Sequence, residues 1–309
     1  MSRILCKASA LLTQIQISQL TVRYNGRKAP TLVDLDLAIN RGETVLLLGA
    51  SGCGKSTLAL TLNGLIPHSV GGELRGQVLV DRLDTQQHPV ADLARKTGIL
   101  FQDPEAQFVT LKVEDELVFG LENLCVAPEQ MDALVEAALA AVNLAELRQR
   151  PVRTLSGGEK QRIALAALLV MAPPILVFDE PTANLDPVGT QEVFALIAGL
   201  KARGDHTILL IEHKLDELMH LIDRVVVLGE QDALLADGPP RTVFDRDYSR
   251  LRSQGVWTPQ VVQLAHALRS QGLQLERVPV TLDEAESLLG NQLTSRQARL
   301  ANGSGQGDT

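Results

Sequence analysis

The chain has 309 residues, 45% of them hydrophobic, and a formal net charge of −8 from 29 Lys and Arg against 37 Asp and Glu. That is ample for one large domain with a small appendage. The acidic balance disfavours a nucleic-acid binder, which carries a basic face. No apolar run reaches the roughly eighteen residues of a spanning helix. The N-terminal residues 1–7 lack the uninterrupted apolar core of a signal peptide, because Lys7 breaks it. Cys6, Cys53 and Cys125 are scattered without a Cys-x-x-Cys pair, which argues against zinc, redox or disulfide chemistry and suggests a reducing compartment.

Residues 14–24 alternate apolar and polar, with Ile15 and Ile17 on one face. Val33, Leu35, Leu37 and Ile39 alternate with Asp34, Asp36 and Asn40. Both stretches read as half-exposed antiparallel strands. Thr44-Val45-Leu46-Leu47-Leu48 is continuously apolar, the pattern of a buried central strand. It leads into Gly49-Ala50-Ser51-Gly52-Cys53-Gly54-Lys55-Ser56, which fills the pattern G-x-x-x-x-G-K-[ST], and then into the helical stretch Thr57-Leu58-Ala59-Leu60. Such a loop turns its backbone N–H groups towards phosphate oxygens, with glycine where the chain bends sharply or meets a ligand closely. A helix starting at Lys55 adds the positive end of its dipole. Lys55 is expected to reach the β- and γ-phosphate oxygens and Ser56 to ligate Mg²⁺. Chance produces the bare pattern in roughly 1% of chains this long. The plainer alternative is a glycine-rich turn before an ordinary helix.

A further strand is predicted at 76–80, after a Gly71-Gly72 turn. Helix formers dominate 103–170, read as a helical subdomain inserted into the core. Ile175-Leu176-Val177-Phe178 then delivers Asp179 and Glu180 to a strand tip, where ligands bind in open α/β sheets. Asp179 would hold Mg²⁺ through water and Glu180 would orient the attacking water. Solvated acids before Pro181 are the alternative. Strand and helix patterns alternate at 175–179, 187–203, 207–211, 214–221 and 224–228, which implies a mainly parallel sheet with crossovers. Beyond Val243-Phe244, Thr258 is predicted to cap a helix with Pro259 first and Gly272 past its end. Thr281 and Glu284 form a capping-box pattern for a second helix stopped by Gly290. Residues 301–309 have too little apolar content to fold.

Leu155-Ser156-Gly157-Gly158-Glu159-Lys160-Gln161-Arg162 precedes an apolar helix. Ser156 is a good N-cap, and Gly157 and Gly158 let the helix start approach a phosphate. With this motif the chain resembles the ATP-binding-cassette ATPases. The resemblance implies two ATP molecules sandwiched between two chains, each supplying the phosphate loop of one site and the Ser156–Gly158 segment of the other. It implies that Gln102 senses Mg²⁺ and couples to transport, that His213 contacts the γ-phosphate and that the loop Asn184-Leu185-Asp186 crosses the dimer interface. Tyr24 would stack on adenine. Each of Gln102, His213 and Tyr24 also has a bland reading as an ordinary turn or strand residue. ATP and Mg²⁺ are the implied cofactors.

Phe101-Gln102-Asp103-Pro104-Glu105-Ala106-Gln107-Phe108, then residues 113–123, Ile211-Glu212-His213-Lys214-Leu215-Asp216-Glu217, and in the tail 258–261 and 279–285, resemble the ATPase component of energy-coupling-factor importers, which take up vitamins, their precursors or transition-metal ions. That branch implies a second ATPase chain (a copy or a paralogue), a polytopic membrane coupling protein, a separate substrate-binding membrane protein and a peripheral place on the cytoplasmic face of the bacterial membrane. Phe101, Phe108 and Phe119 are candidates to line the coupling groove. Cys53, where Ser or Ala is more usual, and Thr182-Ala183-Asn184 depart from the family pattern without removing a catalytic group. The alternatives are another ABC importer, a soluble ATPase such as that of iron–sulfur cluster assembly, and a non-enzymatic ATP-gated module.

The expected fold is α/β. A P-loop NTPase core of mainly parallel sheet carries an N-terminal antiparallel β subdomain, the helical insertion and a small C-terminal helical appendage. The expected boundaries are 1–245 for the nucleotide-binding domain, with its helical subdomain at about 103–170. Residues 246–300 form the appendage, a possible dimerisation element, and 301–309 a disordered tail.

Overall fold

Two apolar periods in the sequence become two kinds of sheet. In this computed structural model, residues 13–183, 185–229 and 234–288 are described. Strands β1 (Thr13–Tyr24), β2 (Leu32–Asn40), β4 (Gly72–Val80) and β5 (Leu83–Asp84) form an antiparallel sheet in the order β2-β1-β4-β5. Cross-strand pairs such as Ile15↔Ile39 and Ile17↔Leu37 bury one face. Strand β4 starts at Gly72, paired with Tyr24, four residues before the predicted Gly76. The two glycines read as a turn, but pairing with β1 carries the strand through Gly72.

The second sheet has the order β10-β9-β3-β8-β7-β6. It comprises β3 (Thr44–Gly49), β6 (Thr97–Leu100), β7 (Ile175–Asp179), β8 (Thr207–Ile211), β9 (Arg224–Leu228) and β10 (Ala236–Gly238). All neighbours are parallel except β10 and β9. Its strands read as unbroken apolar runs because both faces are covered. Leu46, Leu48, Leu176, Phe178, Ile208 and Leu210 enter one core, while Val45, Leu47, Val177, Leu209 and Ile211 enter the other.

The covering helices follow in chain order. They are α1 (Lys55–Leu62), α2 (Leu65–His68), α3 (Val90–Ala94), α4 (Val113–Asn123), α5 (Pro128–Ala141), α6 (Gly157–Leu169), α7 (Pro187–Arg203), α8 (Pro240–Arg246), α9 (Tyr248–Ser253) and α10 (Gln260–Ser270). Helices α4, α5 and α6 share a third core around Leu117, Leu139 and Ile163. The helical region begins later than residue 103: Pro104–Gln107 is a 3₁₀ turn, and residues 108–112 are loop. The buried Glu116 carboxylate holds that loop, accepting the N–H groups of Val109 and Thr110 at 3.1 and 2.9 Å. No described helix is long and apolar enough to cross a membrane.

Three expected details of the C-terminal half come out differently. Residues 214–221 do not form a helix and contain only a 3₁₀ turn at Met219–Leu221. Glu212 Oε1 accepts the N–H groups of His213 and Lys214, and Leu215, Leu218 and Met219 are drawn into the core. Thr258 is not the cap of α10. Pro259 occupies that place, and the Gln260 N–H is satisfied by Asp216 Oδ1 at 2.7 Å, so the cap comes from a distant segment. Thr281 Oγ1 accepts the Glu284 N–H at 3.3 Å, but the Glu284 carboxylate takes the Val280 N–H and Arg241 in place of the Thr281 N–H, so the capping box is half made. Gly290 and residues 301–309 lie outside the described residues. Val256, Val262, Leu275 and Val278 of the C-terminal segment join the same core as Phe178 and Leu210.

Close packing of α6 on the sheet depends on Gly98 of β6. A Cβ there would stand 2.2 Å from Leu168 Cδ1 and 2.9 Å from Pro173 Cγ. Gly98→Val is expected to destabilise the protein by about 1–3 kcal/mol through overpacking. A urea unfolding curve would show it as a lower midpoint, and an unchanged midpoint would contradict this packing.

Candidate active site

Strand β3 ends in the phosphate-loop pattern, and its geometry explains the glycines. Gly49 has φ +151°, and a Cβ would lie 2.5 Å from Cys53 Sγ and 2.7 Å from the Leu228 carbonyl oxygen. Gly54 has φ +107°, with Leu32 Cδ2 where a Cβ would sit. Cys53 is buried beneath the loop, whereas Ser51, Gly52 and Ser56 are exposed and Ala50 is half-buried. The Lys55 ammonium is 8% exposed and donates to the carbonyls of Gly49 and Ala50 at 2.9 and 3.0 Å. Lysine has three such donors, so one remains for a ligand oxygen. A buried ammonium held only by carbonyls leaves its charge unmatched, which favours an anion at the loop. Thr57 on α1 shares a 3.0 Å hydrogen bond with the hydroxyl of Tyr24 at the end of β1, tying that ring to the helix.

Asp179 ends β7 and is 6% exposed. Burial pushes its carboxyl above the ordinary value of 3.8. A hydrogen bond from Ser56 opposes that rise, the charge of Glu180 adds to it, and Lys55 and His213 oppose it. The next residue, Glu180, has φ +52°, a left-handed conformation that costs a non-glycine residue on the order of 1 kcal/mol. Its N–H donates to the Ile211 carbonyl at 2.9 Å. Both of its carboxylate oxygens are engaged: Oε2 accepts Gln102 Nε2 at 2.8 Å, and Oε1 accepts His213 Nε2 at 3.1 Å. A carboxylate only accepts, so Nε2 carries the proton of the imidazole. His213 Nδ1 is buried without a hydrogen-bond partner. The three side chains come from β6, β7 and β8, whose parallel register sets Leu100 beside Phe178 and Asp179 beside Ile211.

The glycine pair lies at the start of α6. Ser156 Oγ accepts the Glu159 N–H at 3.3 Å, and Glu159 Oε2 accepts the Ser156 N–H at 2.7 Å, a complete capping box. That hydrogen bond from the Ser156 backbone holds the Glu159 carboxyl below its ordinary value. These hydrogen bonds remain inside the first turn of α6. A Cβ on Gly157 would meet nothing within 4 Å, and one on Gly158 would only touch Leu185 Cδ2 at 3.5 Å. Asp186 caps α7, its Oδ1 accepting the Gly189 N–H at 2.7 Å. Asn184 lies outside the described residues.

The structure thus gathers Lys55, Ser56, Asp179, Glu180, Gln102 and His213 at the C-terminal tips of the parallel strands. Two participants were not singled out from the sequence. Lys214 Nζ donates to the Thr182 carbonyl at 3.1 Å and Thr190 Oγ1 at 2.9 Å, tying the segment after β8 to the loop before α7. Trp257 sets its ring against that of His213, with centroids 6.2 Å apart. In the sequence Lys214 stood only as a member of the motif that begins at Ile211, with no role of its own, and Trp257 gave no signal.

The model of the ABC transporter family matches residues 32–183. A Pyrococcus horikoshii protein provisionally named an ABC transporter ATP-binding protein is 42% identical over 275 residues, covering 89% of this chain and 96% of that protein. The chain belongs to the ABC transporter ATP-binding proteins. A Bacillus subtilis relative, provisionally named the HMP/thiamine import ATP-binding protein YkoD, is 38% identical over 260 residues; these cover 82% of this chain and 47% of that longer protein. Among solved structures, cbiO1 from Clostridium perfringens, part of the ABC transporter complex cbiONQ, superposes with a TM-score of 0.67. It is 28% identical, with coverage of 84% of this chain and 99% of that one. This ABC protein is a nucleotide-binding ATPase with the α/β P-loop fold.

The raised pKa of Asp179 gives a testable pH dependence. Its folded value lies above the unfolded one, so ionisation weakens the ligand-free fold as pH rises from 3.8 through the folded value. Asp179→Asn is therefore expected to raise the melting temperature of the ligand-free ATPase at pH 7, with the gain shrinking as pH falls towards 3.8. Calorimetry across that range checks it; a variant less stable than the parent at pH 7 would show that the carboxylate is well compensated.

Proposed function

We propose that this ATPase hydrolyses MgATP at composite sites between two such chains and drives import through a membrane partner of the energy-coupling-factor type. The observation that carries the composite site is the open space at Gly157. Packing within its own subunit does not call for a glycine there, so the start of α6 is left open to a group that approaches from outside. Exposed N–H groups at a capped helix start suit a phosphate oxygen, and ATP held by the partner's residues 49–56 supplies one.

In this reading Gly49 to Thr57 cradle the triphosphate, with Lys55 donating its free N–H to phosphate oxygen, and Tyr24 packs on adenine. Ser156, Gly157 and Gly158 of the second chain close over the γ-phosphate, and Asp186 positions the loop that crosses the interface. Ser56, Asp179 and Gln102 are the residues that would hold Mg²⁺. They suit it: Ser56 already donates to the buried Asp179 carboxylate, whose burial Lys55 and His213 offset only in part, and Gln102 holds Glu180 through its nitrogen, which leaves the amide oxygen as an acceptor. Bound Mg²⁺ supplies positive charge to the phosphate oxygens. Glu180 orients the attacking water and accepts its proton as the new P–O bond forms. The bond from the γ-phosphorus to the bridging oxygen breaks, and its electron pair leaves with ADP. His213, with a proton on Nε2, can turn from Glu180 to the γ-phosphate.

A groove of about 240 Å³ beside the site is lined by Phe101, Phe108, Val109, Phe119 and Met171. It fits an apolar helix of a polytopic membrane protein, and Gln102 follows Phe101 directly into the Glu180 cluster. A separate membrane protein would bind the cargo, a vitamin, a vitamin precursor or a transition-metal ion. The HMP/thiamine import in the name of YkoD supports a vitamin or vitamin-precursor cargo, and the place of cbiO1 in a transporter complex supports a multi-protein assembly. The ATPase pair would then sit peripherally on the cytoplasmic face of the membrane, with residues 246–300, which expose Leu264 and Leu282, adding a dimer contact.

Glu180→Gln is expected to bind ATP, to accumulate as a dimer by light scattering, and to lose about 10²-fold or more in turnover. Adding Gly157→Asp should leave nucleotide affinity intact, because the space is open, and abolish that dimer by placing a carboxylate against phosphate. A double variant that still dimerises with MgATP would refute the composite site.

A further inference from the structure

We infer that Trp257 is a positioning residue for His213, through which the segment between α9 and α10 sets the geometry of ATP hydrolysis. This rests on the reading of Glu180 and His213 given above. Trp257 is the single tryptophan of the chain, and it is 60% exposed. Burial therefore does not account for its place. Its neighbours Val256 and Thr258 are 6% and 7% exposed, so the local backbone anchors them inward and turns the indole outward. There it meets His213 edge to face, at an interplanar angle of 62°.

A second contact runs in the same register. Three residues beyond each ring, Asp216 Oδ1 accepts the Gln260 N–H at 2.7 Å, so the turn after β8 caps α10. The two segments are pinned side by side, and Val262 and Ala265 of α10 are buried in the core beneath. On its other side the imidazole donates to Glu180, while Nδ1 has no polar partner. A ring with one hydrogen bond can pivot about it; the indole packed beside it restricts the positions to which it can turn. The imidazole is thereby held between the catalytic carboxylate and a C-terminal aromatic. A shift of the C-terminal segment would be felt at His213 without any change in the phosphate loop.

The test uses the full chain and steady-state MgATP hydrolysis. Trp257→Ala should lower kcat about tenfold while the KM for ATP stays within about twofold, because misplacement acts on the reacting geometry and not on nucleotide binding. Trp257→Phe keeps an aromatic edge and should restore most of the loss. In the Glu180→Gln background, the emission of Trp257 should change when MgATP binds, and His213→Ala should remove that change. Full turnover by Trp257→Ala beside a crippled His213→Ala would overturn the inference alone. Full turnover by His213→Ala would overturn the underlying reading and the inference with it. Emission indifferent to nucleotide, or no difference between the Ala and Phe variants, would also reject the positioning role, whatever the stability of the variants.

Discussion

Glu180 is held by groups from two other strands, and that arrangement is possible only because β6, β7 and β8 are parallel and in step. Leu100 lies beside Phe178, and Asp179 beside Ile211, so Gln102, Glu180 and His213 leave the sheet at one level. The register is set from below. Apolar residues cover both faces, and a slip of one residue would exchange the two cores these strands serve. The left-handed turn at Glu180 persists because its carbonyl partner and both side-chain partners come from neighbouring strands. Tertiary burial thus supplies the free energy that holds one carboxylate in an unfavourable local conformation.

The same arrangement makes the resting site unready. Each oxygen of Glu180 already accepts one hydrogen bond, so an attacking water must share the carboxylate with Gln102 and His213 while they remain in place. Lys55 is buried against carbonyls alone, and Asp179 is buried with a raised pKa. Their opposite charges act on each other but do not outweigh the burial of Asp179. A ligand that brings anionic phosphate to one and a cation to the other relieves both. It also offers Gln102 and His213 better partners than the carboxylate they now hold, since hydrogen bonds to charged phosphate oxygens are the stronger kind. Loading the site and freeing Glu180 are therefore one event in this arrangement.

Much of this was legible because it is carried by short-range patterns. The runs at 44–48, 175–178 and 207–211 are long enough and apolar enough to be central strands, and each leads directly into a segment at the strand tips: the loop 49–56, Asp179-Glu180, and Glu212-His213. The glycines of 49–56 and the Ser156 cap are equally local. What escaped depends on contacts between remote segments. Residues 214–221 have helical spacing of apolar side chains, but packing against distant segments draws Leu215, Leu218 and Met219 into the core as turns. Thr258 looks like a cap, yet Asp216 supplies the acceptor from another part of the chain. Nothing near Trp257 in sequence announces His213. Propensity and capping rules count the partners within a few residues; these three cases are decided by partners outside that window.

Seen from His213, the chain after β8 is a short bar gripped at several points. Glu212 turns its backbone, Lys214 ties it to Thr182 and Thr190 at the entry to α7, and Asp216 ties it to α10. The loop that carries Asp186 therefore shares a support with the imidazole. Any approach of a second chain to that loop would pull on Lys214, one residue from His213, and any movement of the C-terminal segment would pull on Asp216. A packed segment with several polar anchors moves between discrete positions and does not deform smoothly. His213 thus stands where the loop that carries Asp186, the C-terminal segment and Glu180 constrain one ring together, and in the proposed function hydrolysis would require that all three be satisfied at once.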